Sequence, residues 1–154
     1  MITEYNKYIN RSCVSFDFDG VLHLSTVGDT IHPKNYTEWK TWIPSTKIHR
    51  ILRSEHKAGN KIVVISARCP WACDGKDEVV LDTYEILNDF FKKYHLPVDD
   101  IILTCDHPKI EHLIRLKCIR HYDDNYKMEY ELEDTNIEFV YVYKDNIVKR
   151  IKNG

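Results

Sequence analysis

Two aspartates stand one residue apart in the stretch CVSFDFDGVL, Asp17 and Asp19, directly after a short apolar run. Like charges beside a core are costly unless a cation or a reaction uses them. A second acidic pair, Asp123-Asp124, follows the apolar stretch Ile119–Tyr122. Ser66 ends the run KIVVIS, Arg68 comes two residues later, and Lys109 opens a short helical stretch. Brought together, these four carboxylates, one hydroxyl and two cations are the parts needed to move a phosphoryl group. Carboxylates hold Mg2+ through oxygen ligands. A carboxylate can also attack phosphorus and form an aspartyl-phosphate. A hydroxyl and an ammonium can hold the non-bridging oxygens as charge develops.

These side chains meet only if the elements carrying them end at one place. The pattern predicts a strand over Cys13–Phe18 with Val14, Phe16 and Phe18 on one side. Leu22–Ile43 is irregular, with turn signals at Gly28-Asp29 and Pro33, and fits a small flap. Ser45 or Thr46 caps a helix that runs to about Ala58 and stops at Gly59. Lys61–Ser66 is continuous and β-branched, as a strand covered on both faces would be. A loop through Pro70, Gly75 and Asp77 leads to a helix over Glu78–Tyr94. A strand over Ile101–Cys105, a helix over Lys109–Lys117 and a strand over Ile119–Tyr122 follow. A polar helix over Tyr126–Glu133 and a fifth strand over Ile137–Tyr143 complete the pattern. Repeated strand–helix units predict a three-layer, Rossmann-like α/β fold, a parallel sheet with helices on both faces. In such sheets ligands bind beyond the carboxyl ends of the strands, which is where the acidic pairs, Ser66 and Arg68 fall.

Length and composition set bounds on partners. A chain of 154 residues with 43% hydrophobic and 30% charged residues fits one globular domain over 1–154. A net charge of −2 argues against a strongly basic nucleic-acid binder, although it leaves room for a local basic patch. The five scattered cysteines, Cys13, Cys69, Cys73, Cys105 and Cys118, read as reduced thiols in a cytoplasmic setting. No apolar run is long enough to span a membrane, and the N-terminal stretch has no signal-peptide core. Cys69 and Cys73 with His107 and His112 lack the paired spacing of strong zinc sites. Nothing pairs a Ser or Cys nucleophile signature with a histidine, so acyl transfer has no support.

The series DFDGVL, then Ile65-Ser66 at a second strand end, then Lys109, then YDDN, resembles the haloacid dehalogenase (HAD) superfamily. All four motifs stand in that family's order across residues 13–125. The resemblance implies Asp17 as nucleophile and Mg2+ ligand. It implies that Asp19 protonates the leaving oxygen, then activates water, and offers its backbone carbonyl to the metal. Asp124 is the third protein ligand with Asp123 in support, or the two are reversed. Ser66 and Lys109 bind the transferring phosphate, with Lys117 competing for the lysine role. Gly20 lets the chain turn sharply after the strand and falls with Arg68 on the substrate side.

The ISAR segment, its turn-rich loop and the helix containing Tyr84 are similar to the phosphatase domain of phage-type polynucleotide kinase-phosphatases. That comparison makes Arg68 a substrate-phosphate contact and a 3′-phosphorylated nucleic acid end, or a nucleotide, the substrate. No kinase P-loop pattern is present, and the interval from Lys109 to the acidic pair is shorter here. Neither insertion point leaves room for a large cap domain. Tyr36, Trp39, Trp42 and Trp71 lie in the rim segments, where they either stack on a base or pack on the fold. A small-molecule or protein phosphatase of the same fold is an alternative. A non-catalytic phosphate-binding or regulatory domain, such as a receiver-like module, is another, though a receiver's lysine follows its acidic groups.

Overall fold

The computed structural model describes residues 11–24, 33, 35–73 and 80–153. The main sheet contains β1 (Cys13–Phe16), β2 (Lys61–Ser66), β5 (Asp100–Leu103), β6 (Cys118–Asp123), β7 (Glu138–Tyr143) and β8 (Asn146–Ile151). Its order is β5-β2-β1-β6-β7-β8, parallel throughout except for the antiparallel edge strand β8. Strands β3 (Trp71–Cys73) and β4 (Val80–Asp82) pair antiparallel in a separate ribbon. The helices are α1 (Thr46–Lys57), α2 (Thr83–Lys93), α3 (Ile110–Arg115) and the single turn α4 (Met128–Glu131).

Period-two alternation of an apolar strand sends its side chains to two cores. On one face Val14, Phe16, Ile62, Val64 and Tyr122 pack against Ile48 and Leu52 of α1 and Ile86 and Phe90 of α2. On the other, Val63, Ile65 and Phe139 meet Leu113, Met128 and Leu132. Helices therefore cover both faces, as the strand–helix alternation predicts. Phe18 falls in the same cluster as Val14 and Phe16.

Several boundaries move for identifiable reasons. The helix expected over Glu78–Tyr94 begins at Thr83, because Asp82 accepts the Tyr84 and Glu85 N–H groups as its N-cap. The residues just before it are drawn into β4 by pairing with β3. Strand β8 was not foreseen: its exposed Lys149 and Arg150 break the apolar signal, as charges on an edge strand do. The ends of the segment expected to form a flap meet, since Leu24 N donates to Ile43 O and Ser45 N to Leu22 O. Gly28, Asp29, Gly75 and Asp77 lie outside the described residues. Trp39 and Trp42 pack into the core, whereas Trp71 is exposed.

The cysteine expectation is corrected. Cys69 and Cys105 form a disulfide, so the chain's thiols are not all reduced. The two loops after the parallel neighbours β2 and β5 leave the sheet on one edge, a proximity that 36 residues of separation conceal. Cys13 and Cys118 are free and buried. No helix among the described residues is long and apolar enough to cross a membrane.

Candidate active site

The chain passes from β1 to β2 to β5 on one side, then crosses to β6 and β7 on the other. Strand order therefore reverses between β1 and β6, and their carboxyl ends open a crevice. A cavity of about 490 Å³ occupies it, walled by Asp17, Asp19, Arg68, Lys109, Asp123 and Asp124.

Asp17 follows β1, and its N–H donates to Tyr122 O of β6 at 2.9 Å, extending the pairing to the crevice floor. Asp123 is the last residue of β6. Asp17, Asp123 and Asp124 each offer a carboxylate oxygen, and these atoms all lie within 4.8 Å of one another. An all-oxygen donor set of this kind could hold a hard divalent cation. The Lys109 ammonium is the counter-charge within it, 2.9 Å from Asp17 Oδ1 and 2.9 Å from Asp123 Oδ2. Lys109 sits at the start of α3, whose first turn aims it back at the strand ends.

The electrostatics follow from crowding. Burial and the neighbouring Asp123 charge push the Asp17 carboxyl well above the usual carboxylate range. Burial and Asp123 likewise push Asp124 up to about 6. Asp123 goes the other way: burial opposes ionisation, but Lys109 and His121 hold it below the usual range. Burial alone would lower the Lys109 ammonium, yet Asp17 and Asp123 raise it. One lysine thus does not offset the crowding, which favours the neutral carboxyls of Asp17 and Asp124; a bound cation would favour their ionised forms.

Both oxygens of Asp123 also bond within the protein. Oδ2 accepts from Lys109 and faces His121 Nε2 at 2.8 Å, while Oδ1 accepts the Asn125 N–H at 3.0 Å. His121 is fully buried, and its Nδ1 is 2.7 Å from Ser15 Oγ. Ser15, His121, Asp123, Lys109 and Asp17 therefore form one connected polar chain through the sheet. His121 and Ser15 were missed from sequence, although the spacing His-x-Asp on a strand places both side chains on one face.

Asp19 stands apart from the cluster in a clamp of its own. Arg68 donates to it twice, Nε to Oδ2 at 2.9 Å and Nη2 to Oδ1 at 2.8 Å. His23 Nε2 lies 2.6 Å from Oδ1. Burial opposes the charge, but the His23 and Arg68 bonds outweigh it and hold Asp19 down at about 2. Arg68 is itself buried, with its guanidinium carbon 4.9 Å from the centre of the Trp42 ring. His23 stacks on the same indole at 4.7 Å. His23 was a second omission, because a histidine four residues after Asp19 carries no motif signal.

The remaining expected residues divide. Ser66 reaches the end of β2 but is fully buried, and its Oγ accepts the Arg68 N–H at 3.1 Å. Ala67 and Arg68, not Ser66, are on the cavity wall. Gly20 has φ +78°, and a Cβ there would overlap Asp124 Oδ2. It is the residue that lets Asp124 close onto the cluster. Lys117 is exposed beyond α3 on a different part of the surface, against Ile119 and Asn136. Lys109 is the lysine that meets the carboxylates.

No protein-family model matches the chain, and no curated protein sequence matches it. Solved structures that share its fold include chains of an RNA repair complex. The chain of a Pnkp1/Rnl/Hen1 RNA repair complex superposes with a TM-score of 0.62 at 19% identity over 86% of this chain and 42% of that one. A second Pnkp1/Rnl/Hen1 complex gives 0.60 at 19% identity, over 86% and 46%. The chain spans less than half the length of these structures. The likeness is one of fold: the same mostly parallel α/β sheet.

Proposed function

We propose that this chain is a Mg2+-dependent phosphomonoesterase of the HAD type, working through an aspartyl-phosphate on a 3′-phosphorylated nucleic acid end. The observation that carries this is the set Asp17, Asp123 and Asp124 within 4.8 Å, with Lys109 on Asp17, at the switch point of a parallel sheet. Mg2+ held by these carboxylates would offset charge on the phosphate and on Asp17. The fold shared with chains of an RNA repair complex supports the nucleic acid end as substrate class.

In this reading Asp17 attacks phosphorus through a carboxylate oxygen and the bond to the leaving oxygen breaks. Lys109, already 2.9 Å from Asp17, holds the non-bridging oxygens as the trigonal arrangement forms. The leaving oxygen takes a proton from Asp19. Water then attacks the phosphorus, Asp19 takes its proton, and inorganic phosphate leaves with the Asp17 carboxylate restored. The clamp on Asp19 suits its second role, since a carboxylate held ionised is a base. Its first role requires Arg68 to turn from Asp19 to the incoming phosphate dianion, so that Asp19, still facing His23, takes up a proton from solvent before the leaving oxygen departs; the proton later taken from the attacking water restores it for the next cycle. Arg68 would then serve both as positioning residue in the free protein and as phosphate contact in the complex. Ser66 acts through Arg68, whose backbone it fixes.

The test is phosphate release with Mg2+ from an aryl phosphate, nucleoside monophosphates and oligonucleotides bearing a 3′- or 5′-phosphate. Wild type is run beside Asp17→Asn. Release lost in the variant, with 3′-phosphorylated ends preferred, is the expected result. Release that persists in Asp17→Asn refutes the nucleophile, and preference for a metabolite or phosphoprotein refutes the substrate class.

A further inference from the structure

The hairpin joining β7 to β8 reaches the same edge of the sheet as the acidic cluster. Tyr143 pairs with Asn146, so the turn consists of Lys144 and Asp145 alone, with φ of 48° and 62°. Two left-handed residues in a two-residue turn usually call for Asn-Gly. A lysine held there is strained, and such strain persists where neighbouring structure over-determines it, often at binding sites. The over-determination is visible. Asp145 accepts the N–H groups of Lys47 and Ile48 at 3.1 and 3.0 Å, capping α1 from 98 residues away. Lys47 Nζ donates to Asn146 Oδ1 at 3.0 Å. The tip is bolted to a helix.

What the tip holds out is a tyrosine and a lysine. Tyr143 is 52% exposed, although the five residues before it in β7 are buried or half-buried. Lys144 Nζ lies 5.3 Å from the centre of the Tyr143 ring, and among the described residues it has no carboxylate partner. These two line a cavity of about 350 Å³ together with Gly20, Leu24 and Asp124. Asp124 belongs to both this cavity and the crevice. The second cavity therefore begins at the cluster where the reacting phosphate would sit.

We infer that this second cavity is the subsite for the terminal nucleoside of a polynucleotide. Its base stacks on the open face of Tyr143, and the Lys144 ammonium meets the phosphodiester one step further in. The inference rests on the phosphomonoesterase reading above and extends it to how the substrate is recognised. A fixed aromatic face beside a cation with no carboxylate partner among the described residues matches the π-surface and backbone charge of a nucleic acid strand without selecting a base. A small aliphatic phosphate ester has neither group to offer.

The experiment measures kcat and KM on a 3′-phosphorylated oligonucleotide and on a small alkyl phosphate for wild type, Tyr143→Ala, Tyr143→Phe and Lys144→Gly. Anisotropy of the same labelled oligonucleotide reads binding independently of turnover. Tyr143→Ala is expected to weaken oligonucleotide binding about 5- to 150-fold, the value of one stacked base. Its alkyl phosphate kinetics stay within about two-fold, and Tyr143→Phe restores binding. Lys144→Gly removes the cation while relieving the strained φ, so folding is not compromised, and it lowers the salt slope of binding by about 1. Unchanged oligonucleotide binding in both variants, or equal losses on both substrates, overturns the subsite. If wild type turns over nothing but Tyr143→Ala still weakens binding, the subsite stands and the hydrolase reading falls.

Discussion

Replacing Asp145 by alanine tests the hairpin anchor most directly. Two N–H groups of the first turn of α1, on Lys47 and Ile48, lose their acceptor. Ser45, the residue at the N-cap position, makes no side-chain cap bond that could take over. Loss of an N-cap costs about 1 kcal/mol, and loss of the negative charge at a helix N-terminus about 0.5 kcal/mol more. Alanine at φ 62° adds about 1 kcal/mol, because it lacks the local bonding that lets Asp tolerate that region. The sum is about 2–3 kcal/mol, or a fall of about 5–10 °C in Tm for a chain of this size. Urea unfolding at constant slope measures it, with Asp145→Asn as the partner variant. Asparagine keeps an acceptor oxygen and tolerates the left-handed region, so it should lose less than about 1 kcal/mol. A midpoint for Asp145→Ala within about 0.5 kcal/mol of wild type would refute the claim that the tip is held by this cap.

Gly20→Ala should lower Mg2+ affinity about 10- to 100-fold by displacing Asp124, read by calorimetric titration; unchanged affinity would separate Gly20 from the cluster. Glu55 accepts from Arg120 at 2.6 Å and from Tyr122 at 2.9 Å, and although burial opposes it these bonds hold its carboxyl below the usual range. Its stabilisation is therefore complete above the unfolded glutamate value and lost as pH falls through the lower folded one. Glu55→Gln should flatten the stability profile in that acid window and cost about 1–3 kcal/mol at pH 7, and an unchanged pH profile counts against it. Reduction of Cys69–Cys105, 36 residues apart, should lower stability by up to about 4 kcal/mol, and an unfolding midpoint indifferent to reductant contradicts the pairing.

The parts legible in sequence are those fixed by local pattern. Lys61–Ser66 can be read as a strand buried on both faces because a continuous β-branched run has few other homes, and it is one. The residues Asp17, Asp19, Arg68, Lys109, Asp123 and Asp124 can be named as a set because each ends or begins an element, and parallel strands collect such ends on one edge. Phe18 and Trp42 show the limit. Both were visible as aromatic, but only packing made Trp42 the surface against which Arg68 and His23 lie.

The sequence by itself determined the layer architecture and the chemical inventory of the crevice, because periodicity and strand-end position are properties of neighbours along the chain. The tertiary structure alone decided the partnerships. It gave Arg68 to Asp19, buried Ser66 beneath Arg68, chose Lys109 over Lys117 and tied Asp145 to α1. It also brought Cys69 to Cys105 and extended the cluster inward to His121 and Ser15. Each of these is a contact across the sheet or between loops, formed between residues whose separation along the chain says nothing of their distance. Which charge neutralises which is settled by distances of about 3 Å, and only the packed sheet sets those distances.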